Sequence, residues 1–176
     1  MPQQVQVART AAVCATAELQ GVISVGEHCA VHPGACIRAE GGPIVLGERC
    51  FVEDGAVLTS DGPDGLHVGS GNLFESGCDV RSARVGDSNW FEPKAQARAG
   101  SVIGSNCLIG SGVVVAAGER VPDNSILVAV RAQRVVRLQQ EFLVKTHAAL
   151  IQKYADIFPR GAKSPYALEK HHELRQ

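Results

Sequence analysis

The chain has 176 residues, 45% of them hydrophobic but only 5% aromatic, with 17 Lys+Arg against 18 Asp+Glu and a formal net charge of −1. That length allows one domain with an appendage. A slightly acidic chain without a basic patch interleaved with aromatics excludes a nucleic-acid binder, and no uninterrupted apolar run reaches the ~20 residues of a membrane span.

From the amino end an aliphatic or aromatic residue returns at every sixth position: Val7, Val13, Leu19, Val25, Val31 and Ile37. After a three-residue insertion around Gly41-Gly42-Pro43 the count resumes with Leu46, Val52 and Leu58. A second insertion, Ser60 to His67, carries the turn signals Asp61-Gly62-Pro63-Asp64-Gly65 and precedes Val68, Phe74 and Val80. The count slips by one at Val85 and then runs through Phe91, Ala97, Ile103, Ile109, Val115, Val121 and Leu127. Superimposed on it, an aliphatic-glycine pair opens VGEHCA, LGERCF, VGSGNL, VGDSNW and IGSNCL, with starts 21, 22, 17 and 18 residues apart.

A period of six fits neither a helical stripe nor long strand alternation. It fits a short strand and a sharp turn, three of which close one triangular coil of about 18 residues. Coils stacked at the ~4.8 Å spacing of hydrogen-bonded strands give a parallel β-helix of six to seven coils, roughly 30 Å tall, over residues 1–130. Val25, Leu46, Val68, Val85 and Ile103 are expected to point into one lumen. So are the residues two places before a large one, because side chains two apart share a face: Cys29, Cys50, Asn72, Cys78, Ala95, Cys107, Val113 and Ser125. In that place a thiol is expected to act as a small apolar filler, and the glycines are expected at corners that need unusual torsions. Cys14 and Cys36 fall elsewhere in the repeat. No Cys-x-x-Cys pair occurs, and MPQQVQVART has no basic-then-apolar signal, so the expectation is a soluble cytosolic protein with reduced thiols.

Near Leu127 the pattern changes. Val136, Leu143, Leu150 and Ile157 recur at spacing seven, flanked by Phe142 and Tyr154, and Pro159 and Gly161 follow. This predicts an α-helix over 131–160, packed along a flank of the solenoid, and a loose polar tail over 161–176. Charge divides at the same place: residues 1–130 hold 8 Lys+Arg against 14 Asp+Glu, and residues 131–176 hold 9 against 4. Arg131, Arg134 and Arg137 stand on the basic side. In the tail Ser164-Pro165 is the only Ser-Pro or Thr-Pro pair, which makes Ser164 the expected phosphorylation site.

Chemistry on such a wall would need histidines. His147, His171 and His172 lie beyond the solenoid, leaving His28, His32 and His67. A three-histidine zinc site of the γ-class carbonic anhydrase kind needs a pair separated by four residues after His67, and none occurs before His147. His67 alone, at the end of a Gly/Asp-rich loop, offers an acyltransferase base at most. No phosphate loop or nucleophile elbow is present. The expectation is no catalytic residue, no metal and no cofactor.

The runs GGPIVLGERCFVEDGAVL, HVGSGNLFESGCDVRSARVGDSNWFEPKAQ and SVIGSNCLIGSGVVV resemble the dynactin subunit 6 family, as does LQQEFLVK over 138–145. The motifs carrying most of the match are Gly42 to Gly47, Asn72 to Cys78 and Gly86 to Asn89. The resemblance implies an all-β solenoid, a left-handed parallel β-helix of hexapeptide repeats with a C-terminal α-helix; crossover physics alone would favour the opposite hand. It also implies a non-enzymatic subunit of the dynactin pointed-end complex, which supports dynein-driven transport along microtubules. The implied neighbours are the second β-helical subunit (dynactin subunit 5), the actin-related protein and dynactin subunit 4, with dynein indirect and no membrane insertion. The alternative is a homotrimeric hexapeptide enzyme, an acyltransferase or a γ-class carbonic anhydrase.

Overall fold

The computed structural model of the protein describes residues 3–130 and 133–138, together with position 149. Among the described residues, short strands build three flat parallel walls of a prism. Seven strands form the first wall, from Gln4–Val7 to Arg120–Val121. Eight form the second, from Ala12–Val13 to Ser125–Val130 and then Gln133–Leu138. Six form the third, from Glu18–Gln20 to Val114–Val115. Each strand pairs with its equivalent one coil away, so Val7, Val25, Leu46, Val68, Val85, Ile103 and Val121 stand in one register column. The count is therefore six full coils and most of a seventh.

All twenty residues of the six-residue count are buried, the least of them Val7 and Leu19 at 6% exposure. They fill the lumen as columns of like on like, with Phe74 stacked on Phe91 at 5.0 Å between ring centroids. The eight residues expected two places earlier are buried as well. Alternation within each hexapeptide thus sends two side chains inward and leaves the residue between them on the outer face.

Corners divide their work between two kinds of residue. Left-handed torsions fall on Gly34, Gly55, Gly77 and Gly112, but also on His28, Arg49, Ser88, Lys94, Asn106 and Asn124. The glycines of the aliphatic-glycine pairs are different, and the expectation of unusual torsion is corrected for them. Gly26, Gly47, Gly69, Gly86 and Gly104 are not in the left-handed region; they are glycine because successive coils touch there. A Cβ on Gly47 would lie 2.7 Å from the carbonyl carbon of Gly69, and one on Gly86 would lie 2.7 Å from Gly104 O.

Both insertions sit at the corner between the third and first walls, one coil apart, and stack on each other. The Gly41 N–H donates to Ser60 O at 2.7 Å, and the Leu66 N–H donates to Pro43 O at 2.9 Å. Together they make a shelf beside the wall rather than a loose loop.

The fifth-place thiols are more than filler. Cys29 Sγ donates to Gly47 O at 3.0 Å, Cys50 Sγ to Gly69 O at 3.1 Å and Cys107 Sγ to Pro122 O at 3.2 Å. Asn72, in the same place, donates to Gly86 O at 2.9 Å, and its Oδ1 accepts from Asn89 N at 2.9 Å. Each donates to a corner carbonyl of the next coil; Gly69 O also accepts from Asn72 Nδ2 at 3.0 Å and Pro122 O from Ser125 Oγ at 2.7 Å. Cys29, Cys50, Cys78 and Cys107 are at most 2% exposed, and burial pushes the Cys78 and Cys107 thiols up, which keeps those two neutral and unreactive. Cys14 is buried too, whereas Cys36 lies half-buried on the outer face of the third wall beside Glu18 and Arg38. A thiol reagent at mildly alkaline pH is expected to reach Cys36 first and the four luminal thiols only at the rate of unfolding. Burst labelling of any of those four would contradict the placement.

The expected helix from Arg131 does not begin there. Gln133–Leu138 is a strand, antiparallel to Ser125–Val130, with Leu138 opposite Ser125 and Gln133 opposite Val130. Ser125–Val130 would otherwise present an open edge of unpaired backbone groups, and a hairpin satisfies it. The β-branched pair Val135-Val136 suits a strand better than a first helical turn. The rest of the predicted helix and the tail, including Ser164, lie outside the described residues.

Candidate interaction surfaces

The three outer faces differ in chemistry, and register shows which residues share each. On the first wall the outward column runs Gln6, Ser24, Val45, His67, Arg84, Val102 and Arg120. The third wall carries Glu18, Cys36, Val57, Asp79, Gln96 and Val114, with a parallel column through Arg38. Surface ion pairs knit it: Arg38 to Glu18 at 3.2 Å, and Arg81 to Asp79 and Asp61 at 3.4 and 3.8 Å. At such exposure each contributes little. On the second wall the outward column is wholly apolar: Ala12, Ala30, Phe51, Leu73, Trp90, Leu108 and Ile126. The six-residue count passed over this column. Its signal was available, since in every third hexapeptide, from the one marked by Val13 onward, the residue before the marked one is apolar.

The histidines do not converge. His28 occupies a left-handed corner between the first and second walls, and His67 projects from the first wall, with its Nε2 3.2 Å from Asp64 O. His32 follows the second-wall strand Ala30–Val31, at the opposite corner. Burial lowers its pKa, against the raising pull of Glu53 and Asp54. Among the described residues no group of three or more His, Cys, Asp or Glu side chains is arranged to hold a metal ion.

Below His32 at the corner between the second and third walls stand Glu53, Glu75 and Glu92, one per coil, linked by Glu53 N to Phe74 O and Glu75 N to Phe91 O. Glu53 accepts from Ser76 N at 3.1 Å and Glu92 from Ser111 N at 2.8 Å. Glu75 between them is raised, by burial first and then by the charges of Glu53 and Glu92, eased in part by a hydrogen bond with Trp90. A carboxyl raised on folding binds its proton more tightly in the folded state. Its penalty is therefore absent below the unfolded pKa and grows as pH rises through the folded one. Glu75→Gln is expected to raise the melting temperature at pH 7 and to change it little near pH 4; equal shifts at both would disprove the coupling.

A shallow groove of about 610 Å³ runs along the opposite corner, lined by Gln6, Ser24, Glu27, Gly47, Glu48 and Ser70. Its floor is the glycine column and its rim is acidic.

With these surfaces in place, comparison with known proteins is informative. Residues 82–117 match the family model "Bacterial transferase hexapeptide (six repeats)". Dynactin subunit 6 of Danio rerio is 31% identical over 163 residues, covering 81% of this chain and 84% of that protein. The chain belongs to the dynactin subunit 6 family. The Xenopus tropicalis member is 31% identical over 160 residues, covering 80% of each chain. Among solved structures, a hexapeptide transferase family protein from Anaplasma phagocytophilum superposes with a TM-score of 0.78 over 88% of this chain and 90% of that one, at 16% identity. At that identity the likeness establishes the β-helical fold and nothing of the chemistry. No helix among the described residues is long and apolar enough to cross a membrane.

Proposed function

We propose that the chain is a non-enzymatic structural subunit of dynactin, in its pointed-end complex, supporting dynein-driven transport along microtubules and the binding of cargo adaptors in the cytoplasm. The observation that carries this is the 31% identity to dynactin subunit 6 over 81% of the chain. A rigid prism suits the role: coils tied to their neighbours present flat walls without needing to move. Its neighbours under this reading are the second β-helical subunit (dynactin subunit 5), with the actin-related protein and dynactin subunit 4 close by.

The test is capture of the tagged full chain from cell extract, followed by identification of what co-purifies and sedimentation of the isolated chain. Co-purification of the dynactin subunits, with a free chain that is not a homotrimer, is expected. A homotrimer that carries zinc and loses it on His32→Ala or His67→Ala would establish the enzyme reading instead. Phosphorylation at Ser164 belongs to the same proposal. A doubly charged phosphate beside Lys163 would offset part of the basic excess of residues 131–176. Mass spectrometry of the protein from dividing and resting cells is expected to find it in one of them. An unmodified Ser164 in both, with partner capture unchanged in Ser164→Glu, would end the idea.

A further inference from the structure

The outer face of the first wall carries charge of one sign. Its seven strands contain no Asp or Glu, although residues 1–130 as a whole hold 14 acidic residues against 8 Lys+Arg. Down its outward column Val45, His67, Arg84, Val102 and Arg120 follow one another in register. Val45 is 37% exposed, one of two large hydrophobic side chains among the described residues that open to solvent. His67, Arg84 and Arg120 are exposed as well.

These arginines differ from those of the neighbouring wall. Arg38 and Arg81, on the third wall, each meet a carboxylate. Arg84 and Arg120 make no ion pair among the described residues. The carboxylates nearest to them in sequence are turned to the backbone instead. Asp87 Oδ1 accepts from Ser70 N at 2.7 Å, Asp123 Oδ1 from Ser105 N at 2.7 Å and Glu119 Oε2 from Ala116 N at 2.8 Å. Two guanidinium groups therefore stand on a flat wall without an acidic partner, and the half-buried Val102 lies between them.

We infer that this column is a docking surface for an acidic α-helix of a partner protein, lying along the direction of coil stacking. Charge selects the sign of the partner. Guanidinium forks pair with carboxylates, and the chain's own residues 131–176, with 9 Lys+Arg against 4 Asp+Glu, have the wrong sign. Spacing selects the helix. Arg84 and Arg120 are two strand spacings apart, about 10 Å, and seven helical residues rise about 10.5 Å while returning to the same face. An extended segment presents one face at intervals of about 7 Å and then about 13 Å, which misses the second arginine. Carboxylates at positions i and i+7 of a partner helix thus reach both arginines together. An aliphatic residue at i+4 meets Val102, and one at i−7 meets Val45. Exposed ion pairs contribute little singly; here they set the register of the partner and reject basic ones.

The probe is a fluorescein-labelled synthetic helix of about 20 residues, with Glu at i and i+7 and Leu at i−7 and i+4, beside a scrambled peptide of the same composition. Fluorescence anisotropy follows their titration with the isolated full-length chain at low ionic strength. The patterned peptide is expected to bind about tenfold tighter than the scrambled one, with an affinity that falls as salt screens the contacts. Arg84→Glu/Arg120→Glu is expected to lose about tenfold or more and to accept instead the peptide with Lys at i and i+7. Its thermal melt should match wild type, since both side chains lie in solvent. Arg9→Glu/Lys94→Glu changes the net charge equally, away from this column, and should bind as wild type does. Equal affinity for patterned and scrambled peptides, or undiminished affinity in Arg84→Glu/Arg120→Glu, would overturn the inference. So would a concentration-dependent dimer of the wild-type chain that this double variant abolishes, which would make a second copy the occupant. The isolated chain is used throughout, so no outcome depends on the proposed dynactin assembly.

Discussion

Ile103→Asp is expected to leave the protein without a cooperative thermal transition. Ile103 is 1% exposed and sits in the lumen between Val85 and Val121 of the adjoining coils. Removing its side chain alone would cost about 2–4 kcal/mol, and an unpaired buried carboxyl adds several more. The sum approaches the ~5–15 kcal/mol that holds a domain of this size together. Stacking concentrates the damage, because among the described residues each strand of a coil pairs only with the adjoining coils. Far-ultraviolet circular dichroism during heating is the measurement, with Ile103→Val as the control expected to cost only about 1 kcal/mol. Acid should partly restore Ile103→Asp, since a protonated carboxyl is far cheaper to bury. A melt within a few degrees of wild type at neutral pH would show that the lumen is looser than its packing indicates.

The lumen was legible because one physical demand, a large apolar residue per wall per coil, repeats without interruption from Val7 to Leu127. The fifth place was legible as inward but misread in its role. Cysteine and alanine there look like filler, and only Asn72 hinted that a side chain in this place can donate to a corner carbonyl. Outward positions were less readable, because periodicity states which face a side chain takes and not what lies over it. Phe51 and Leu73 lie in the outward column yet are 0% exposed, and no spacing rule inside the solenoid could reveal that. The strand Gln133–Leu138 escaped for a related reason: Val136 fits a seven-residue helical stripe as well as a β-strand, and the open edge of Ser125–Val130 decided between them. That His32 and His67 do not converge could be anticipated from spacing alone, since they fall on a corner and a wall that coil geometry keeps apart.

Gly47→Ala is expected to destabilise the protein by about 3 kcal/mol or more, although the new residue favours neither an unusual torsion nor a polar burial. A Cβ there meets the carbonyl carbon and oxygen of Gly69, each at 2.7 Å, and Ser70 Oγ at the same distance. Only the last can swing away, and it would give up the hydrogen bond that it accepts from Glu48 N at 3.0 Å. Relief therefore requires the third and fourth coils to separate at this corner, which strains the Gly47 N to Val68 O bond of 2.9 Å. The column repeats the constraint at Gly86, so widening one gap cannot be shared with the next. Gly112 is the opposite case. Its φ is +66° and a Cβ would meet nothing within 4 Å, so its demand is on torsion alone. Asparagine already holds such torsions at Asn106 and Asn124, and Gly112→Asn is expected to cost no more than about 1 kcal/mol. Differential scanning calorimetry should separate the pair, with a drop of roughly 6–12 °C for Gly47→Ala and a few degrees at most for Gly112→Asn. Equal drops would mean that both glycines serve torsion, and the close approach of coils along that corner would lose its support.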